Sequence, residues 1–457
     1  MTEGHHSRNI RDKFSGRIGF VLAGSASAIG LGNLWRFPYL AAKYGGGAFL
    51  ITYIILVFTL GLSLMIAEVA IGRKTGLSAI GAFKQFGRKY AFIGILSSFI
   101  PIIITPYYSV IGGWILKYIT VFFTGDGTSA ATDNFFLNFI AQTAQPIAWT
   151  WIFIFLCGCV VFLGIKNGIE QLNKYMMPAL VIISLVISAY SLSLPGAFAG
   201  LKYYLIPNFD NFGIKTVVAA MGQMFFSLSL AMGIMITYGS YMRKEDDLEK
   251  SVRHIGIFDT AIAFLAGLMI IPAVFAFSGG EAGTLNAGPG LMFVTLPKVF
   301  VSFPFANITG TLFFILVFFA AFTSAISLYE TIVSIFSDHF KWSRRKSVIV
   351  TGILLTLAAA PPSLGFGAWN FISIAGMTIL DMMDFLSNSA LMPLAAVLTC
   401  LFIGWWVGPQ IVINEVNESQ LFKSRLLFVF IIKWIAPLCM LIIFVSYVLS
   451  SLKIISF

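Results

Sequence analysis

The stretch SASAIGLGNLWRFP, residues 25–38, sets Ser25, Ser27, Asn33 and Arg36 among small and apolar neighbours, in what reads as a membrane span. Other polar residues interrupt apolar runs in the same way. Inside a membrane such side chains are costly and mark pathways for ions or polar solutes. Glu68, in LMIAEVAIGR, is either an interfacial carboxylate paired with Arg73 or an acceptor for backbone amides freed by a helix break. Asp259, in GIFDTAIAFLAG, is either an interfacial acid or a buried anion beside a cation site. Thr323 and Ser324, in FFAAFTSAISLYE, either back-bond to their own helix or serve a site. Asp381 and Asp384, in ILDMMDF, share one helix face at the external side, at the depth of Arg36. An arginine and an aspartate so placed would pair across a vestibule. Tyr107 and Tyr108, beside Pro106 in ITPYYSVIGGW, lie mid-span and not in an interfacial belt.

These residue types bind; they do not assemble a reaction centre. There is no GxxxxGK[ST] loop for direct ATP coupling, no HExxH or Cys/His metal spacing, and no TVGYG filter. His5, His6, His254 and His339 all fall in or beside cytoplasmic segments. The sequence is not read as that of an enzyme.

The elements that hold these residues follow from composition. The chain of 457 residues is 58% hydrophobic and 11% charged, with a mean hydropathy of +0.91, whereas soluble domains carry about 25% charged residues. It reads as an all-α polytopic membrane protein in a lipid bilayer. A span needs about 20 mostly apolar residues. Eleven such runs occur, at 17–40, 47–71, 91–123, 147–164, 175–194, 216–241, 255–279, 308–337, 347–361, 373–407 and 426–450. The net charge of +10 reflects topology and not a nucleic-acid surface. Arg8, Lys13 and Arg17, then Arg73, Lys74, Lys84, Arg88 and Lys89, then Arg243 and Lys244, occupy alternate loops, while 125–145 holds no Lys or Arg. This alternation puts the N-terminus in the cytoplasm and, with an odd span count, the C-terminus outside. Cys157, Cys159, Cys400 and Cys439 lie in apolar runs, so no disulfide framework is implied.

Spans one and six are unusual in the same way. The first contains SASAIGLGN; the sixth, VVAAMGQMFFSLSLAMGIMITYGSY, carries Ser227, Ser229 and Gly233 at its centre. They stand five spans apart, as in proteins built from two inverted five-helix halves with an interrupted helix at the same place in each. Close packing through small residues is the competing reading.

The whole pattern resembles the neurotransmitter:sodium symporter family, especially its bacterial amino-acid transporters, from Arg11 through span eleven. GLGNLWRFPYLAAKYGGGAFLITY, PYYSVIGGW, GIEQLNKYMMP, GQMFFSLSLAMGIMITYGSY, FTSAISLYE and DMMDF occur in order, each in the right span. The resemblance implies a leucine-transporter-like 5+5 inverted repeat of eleven transmembrane helices, with helices 1 and 6 unwound mid-membrane. Residues 1–457 would form a single transporter domain of the bacterial cytoplasmic membrane. Residues 17–194 would be the first five-helix repeat, 216–407 the second and 426–450 the eleventh helix.

Matched positions imply two sodium sites. One would use the carbonyls of Ala26, Ile29 and Ala320 with the hydroxyls of Thr323 and Ser324. The other would use the Ala28 carbonyl, the Asn33 side chain, Ser227 and the substrate carboxylate. Asp259 falls at or one residue from this site's span-seven ligand. Tyr53, Gln223 and Ser227 match parts of the chloride site of eukaryotic members. Asp259 is the candidate carboxylate that replaces that anion, so transport is expected to be independent of chloride.

The resemblance also implies the substrate contacts. An amino-acid carboxylate would meet the amides of Leu31 and Gly32 and the Tyr108 hydroxyl. Its ammonium would meet the carbonyls of Ala28, Phe226 and Ser227, with Ser229 nearby. Ile104, Phe226, Met232, Phe322 and Leu328 would form an apolar side-chain pocket. Monoamine transporters of the family carry aspartate where this chain has Gly30, which favours an amino acid, hydrophobic or aromatic. Arg36 and Asp384 resemble the external gate, with Phe226 as a lid. Arg11 with Asp338, near Tyr241, resembles the cytoplasmic gate. In relatives, the spacing of Gly168 and Pro178 lets helix five unwind. The eleven spans, where many relatives have twelve, leave dimer contacts and the oligomeric state open. The chain is expected to be a sodium-coupled symporter working by alternating access; the alternative is a non-transporting amino-acid receptor on the same scaffold.

Overall fold

The computed structural model describes residues 12–209, 212–279 and 288–451, and these are almost wholly helical. The first span is in two pieces, Arg17–Ala28 (α1) and Gly32–Lys43 (α2), bent by 52° at their break. Then come Gly47–Thr75 (α3), Arg88–Phe123 (α4), Ala144–Phe162 (α5) and Ile165–Ser193 (α6). The expected sixth span is also in two pieces, Ile214–Ser227 (α7) and Ile234–Tyr241 (α8). Leu248–Ser278 (α9), Ala306–Phe340 (α10), Arg344–Leu364 (α11) and Ile379–Trp406 (α12) follow. The short Gln410–Asn417 (α13) leads to Arg425–Leu449 (α14). Among the described residues nine helices are long and apolar enough to cross a membrane, ten if α1 and α2 count as one span.

Local chemistry sets several helix ends. Gly76, with φ +65°, ends α3 in the left-handed conformation that a side chain would resist. The Asp247 carboxylate accepts from Lys250 N at 2.9 Å to start α9, and the Thr378 hydroxyl accepts from Asp381 N at 3.1 Å to start α12. The helix expected to begin at 175 begins at Ile165 instead, with a π-helical turn over Ile165–Glu170, and it stays helical through Pro178. A π turn keeps backbone groups bonded where the α register slips by a residue.

The core is one continuous apolar cluster, with α4 packed extensively along α10. Two kinds of contact hold the broken helices. α8 lies backbone to backbone against α3: a Cβ at Gly72 would strike the carbonyl of Ile236, and one at Gly239 that of Val69. α1 meets its neighbours through side chains, with Ile255 against Gly24 and the Glu170 carboxyl against Gly19.

Candidate functional site

At the break after α1, Ile29 is extended, with φ −76° and ψ 99°. Carbonyls that a continuous helix would have used turn towards α10. Thr323 Oγ1 lies 2.9 Å from Ala26 O and 3.3 Å from Ala320 O. Ser324 Oγ lies 3.2 Å from Ile29 O and 3.5 Å from Ala26 O. Each hydroxyl has one proton to give, so this group of oxygens carries more lone pairs than donors. Such a surplus suits a hard cation.

A second oxygen cluster surrounds Asp259, which is fully buried. Its carboxylate accepts from Ser227 Oγ at 2.6 Å, Tyr53 OH at 2.7 Å and Asn33 Nδ2 at 2.8 Å. Asn33 Oδ1 accepts from Gly30 N at 3.2 Å, which pins the side chain across the break. Gln223 Nε2 donates to Gly32 O at 3.0 Å. Among the described residues no Lys or Arg contacts Asp259, and its three donors are all neutral. A buried carboxylate without a cationic partner is costly, and a metal cation beside it would offset that cost.

The break between α7 and α8 holds two non-glycine residues at positive φ, Ser229 at 53° and Ala231 at 61°. That backbone is strained for side-chain-bearing residues and persists only where its surroundings fix it. Glu68 Oε1 accepts from Ala231 N at 2.6 Å, inside the break. Ser229 Oγ donates to Ser27 O at 3.0 Å and ties the two breaks together. Arg73, the other partner considered for Glu68, pairs with Glu415 at 2.9 Å.

Between the breaks lies a cavity of about 30 Å³, lined by Ala28, Leu31, Gly32, Ile104, Tyr108, Phe226, Ser227, Ser229, Met232 and Leu328, with Ser27 and Ile234. Its polar rim and apolar floor match the two ends of an amino acid with an apolar side chain, which would have to widen the cavity to enter. Leu31 N donates to the Tyr108 hydroxyl at 3.3 Å. Phe322, expected in this lining, is not part of it. Its ring stacks on Phe318 at 5.0 Å and meets Phe153 edge-on at 5.9 Å.

Beyond Phe226 opens a larger vestibule of about 340 Å³, lined by Arg36, Tyr107, Phe226, Asp384 and Tyr447 among others. Arg36 and Asp384 face this space but do not form the ion pair expected of them. Arg36 donates to Tyr447 OH at 2.8 Å, while Asp384 accepts from Tyr107 and Asn388. On the opposite side, Arg11 lies outside the described residues, and Asp338 accepts from Ser78 N at 2.6 Å. Tyr241 OH donates to Glu330 at 2.7 Å, and Arg344 pairs with the same carboxylate at 2.6 Å. Glu330 and Arg344 are additions to the expected set. Glu330 follows Thr323 by two helical turns on the same face, a spacing visible in the sequence. Tyr447, on the last helix, has no local signal.

The comparisons with known proteins agree with this geometry. The profile of the sodium:neurotransmitter symporter family matches residues 11–138 and 137–455. The uncharacterized sodium-dependent transporter YhdH of Bacillus subtilis is 34% identical over 450 residues, 95% of this chain and 97% of its own. An uncharacterized sodium-dependent transporter of Methanocaldococcus jannaschii is 35% identical over 433 residues, 90% of this chain and 85% of its own. The crystal structure of MhsT in complex with L-phenylalanine matches with a TM-score of 0.85 at 38% identity, over 96% of this chain and 100% of that one. With two broken helices, two oxygen clusters and matches along nearly its full length, the chain belongs to the sodium:neurotransmitter symporter family, a family of sodium-dependent membrane transporters.

Proposed function

We propose that this protein imports a hydrophobic or aromatic L-amino acid across the bacterial cytoplasmic membrane, driven by sodium, through alternating access and without a need for chloride. The observation that carries this reading is the cavity between two helix breaks joined by Ser229 and Ser27, with an oxygen cluster at Asp259 and another at Thr323 and Ser324. One sodium would sit between Asn33, Ser227, the Ala28 carbonyl and Asp259. The other would sit among Ala26, Ile29, Ala320, Thr323 and Ser324. Counting the two broken spans with the nine continuous helices supports eleven spans in a 5+5 arrangement, unwound mid-membrane at the two breaks, with the N-terminus cytoplasmic and the C-terminus outside.

The substrate carboxylate would enter between Leu31 N and Tyr108 OH, which are already 3.3 Å apart. The phenol, an acceptor there, would turn donor to the carboxylate. The ammonium would take the carbonyls of Ala28, Phe226 and Ser227. Gly30 supports an amino acid over an amine, since a Cβ there would lie 2.8 Å from Ser324 Oγ and 3.1 Å from Tyr108 OH. An aspartate there would have to displace the Ser324 and Tyr108 hydroxyls. Ile104, Met232 and Leu328 give the floor its apolar character, and Met adapts to several side-chain shapes. The L-phenylalanine complex of MhsT supports the same substrate class.

Uptake of radiolabelled L-phenylalanine into proteoliposomes, with and without an inward sodium gradient, tests the reading. Accumulation only with the gradient is expected; binding without accumulation would refute transport. Replacing chloride by gluconate at constant sodium is expected to leave uptake unchanged, and a collapse would overturn the role given to Asp259.

A further inference from the structure

Arg36 is held in the vestibule by a residue on the last helix. Its Nη2 donates to Tyr447 OH at 2.8 Å, and its Cζ stands 5.5 Å from the Phe226 ring centroid. Across the same space Asp384 takes its hydrogen bonds on Oδ1, from Tyr107 OH at 3.0 Å and Asn388 Nδ2 at 2.6 Å. Asn388 Oδ1 is buried without a donor among the described residues. One wall therefore presents acceptor capacity that a guanidinium would fill, and the guanidinium is fastened to the other wall.

A carboxylate accepts from arginine more strongly than a neutral phenol does. Left to itself, Arg36 would favour Asp384. The Tyr447 hydroxyl and the Phe226 ring offset that preference while the vestibule is open. A phenol is suited to this task because its hold is real yet weak enough to be exchanged. A bond present in only one of two states shifts their equilibrium by its own strength.

We propose that Tyr447 is a positioning residue of the outer gate, whose hydroxyl keeps the vestibule open by holding Arg36 away from Asp384 and Asn388. Closure exchanges the phenol for the carboxylate and the Asn388 carbonyl oxygen. This rests on the reading of Arg36 and Asp384 as the outer gate.

The test uses the full chain in nanodiscs with Cys157, Cys159, Cys400 and Cys439 replaced by alanine and a reporter substitution, Ser389→Cys, in the vestibule wall. Labelling by a membrane-impermeant maleimide is followed in sodium without amino acid, and again with L-phenylalanine. Tyr447→Phe keeps the ring and removes the hydroxyl. It is expected to slow labelling about fivefold, a discounted value for one charge-assisted hydrogen bond. Adding Asp384→Asn should restore the rate, because the competing carboxylate is then gone. Labelling of Tyr447→Phe at the parent rate, or slowing that persists with Asp384→Asn, would overturn the proposal. The gate reading is scored separately, by Asp384→Asn alone: it should abolish protection by L-phenylalanine. Full protection there would sink the gate itself, whereas lost protection with an inert Tyr447→Phe would sink only the role of Tyr447.

Discussion

The oxygen cluster around Asp259 contains an ionisable carboxyl group, and the cluster around Thr323 and Ser324 contains none. Both sit beside the same break in the first span, and both draw on backbone freed by it. They differ in what happens when no cation is near. Thr323 and Ser324 can turn their protons to Ala26 O and Ile29 O and leave little unsatisfied. Asp259, when ionised, has only three neutral donors, which spread its charge without cancelling it. On the two-site reading proposed above, the carboxylate cluster against α9 makes the stronger demand for a cation, and the neutral cluster against α10 would be the more easily emptied.

The strongest way to break this comparison is Asp259→Asn. Loss of a full charge beside a desolvated cation should reduce sodium-driven uptake about a hundredfold or more, with partial recovery when chloride is supplied. Uptake at the wild-type level without chloride would erase the distinction between the clusters. Thr323→Ala with Ser324→Ala should act through the neutral cluster alone, raising the sodium concentration for half-maximal uptake about tenfold. An unchanged sodium response would remove both hydroxyls from a site. Gly30→Ala should touch that cluster and the cavity together, because the methyl meets Ser324 Oγ and Tyr108 OH. Overpacking of this kind costs about 1–3 kcal/mol, so the half-saturation values for sodium and for L-phenylalanine should both rise about fivefold or more. A rise in only one would show which side gives way. The smallest effect belongs to Tyr53→Phe, which removes one donor from Asp259 and keeps the ring. A rise of about threefold in the sodium requirement is expected, and the effect should vanish in the Asp259→Asn background.

Much of this was legible in the residues. Continuous apolar runs gave the span positions because a bilayer imposes one length on every crossing helix. The breaks were legible too, as small and polar residues cannot be spared inside a span without reason. Less visible was the start of α6, where Ile165–Glu170 winds as a π turn outside the apolar run. Side-chain direction was the larger gap. Phe322 shares its helix with Thr323 and yet points to Phe318 and Phe153, a choice made by packing and not by spacing. The bond between Arg36 and Tyr447 joins residues 411 positions apart. No local pattern encodes such a contact; it exists only once the last helix docks.

The glycines of α3 and α8 carry a mechanical consequence. With Gly72 under Ile236 and Gly239 against Val69, the two backbones touch directly, and no side chain can rotate to absorb a shift between them. α1 rests instead on the flexible ends of Ile255 and Glu170. The helices α8 and α1 are therefore seated unequally, one backbone against backbone and the other against side chains. α8 is riveted to a long neighbour and moves only if that neighbour moves, while α1 behaves as a lever on soft bearings. On the alternating-access reading proposed above, α1 is the half-helix expected to tilt, about the extended backbone at Ile29.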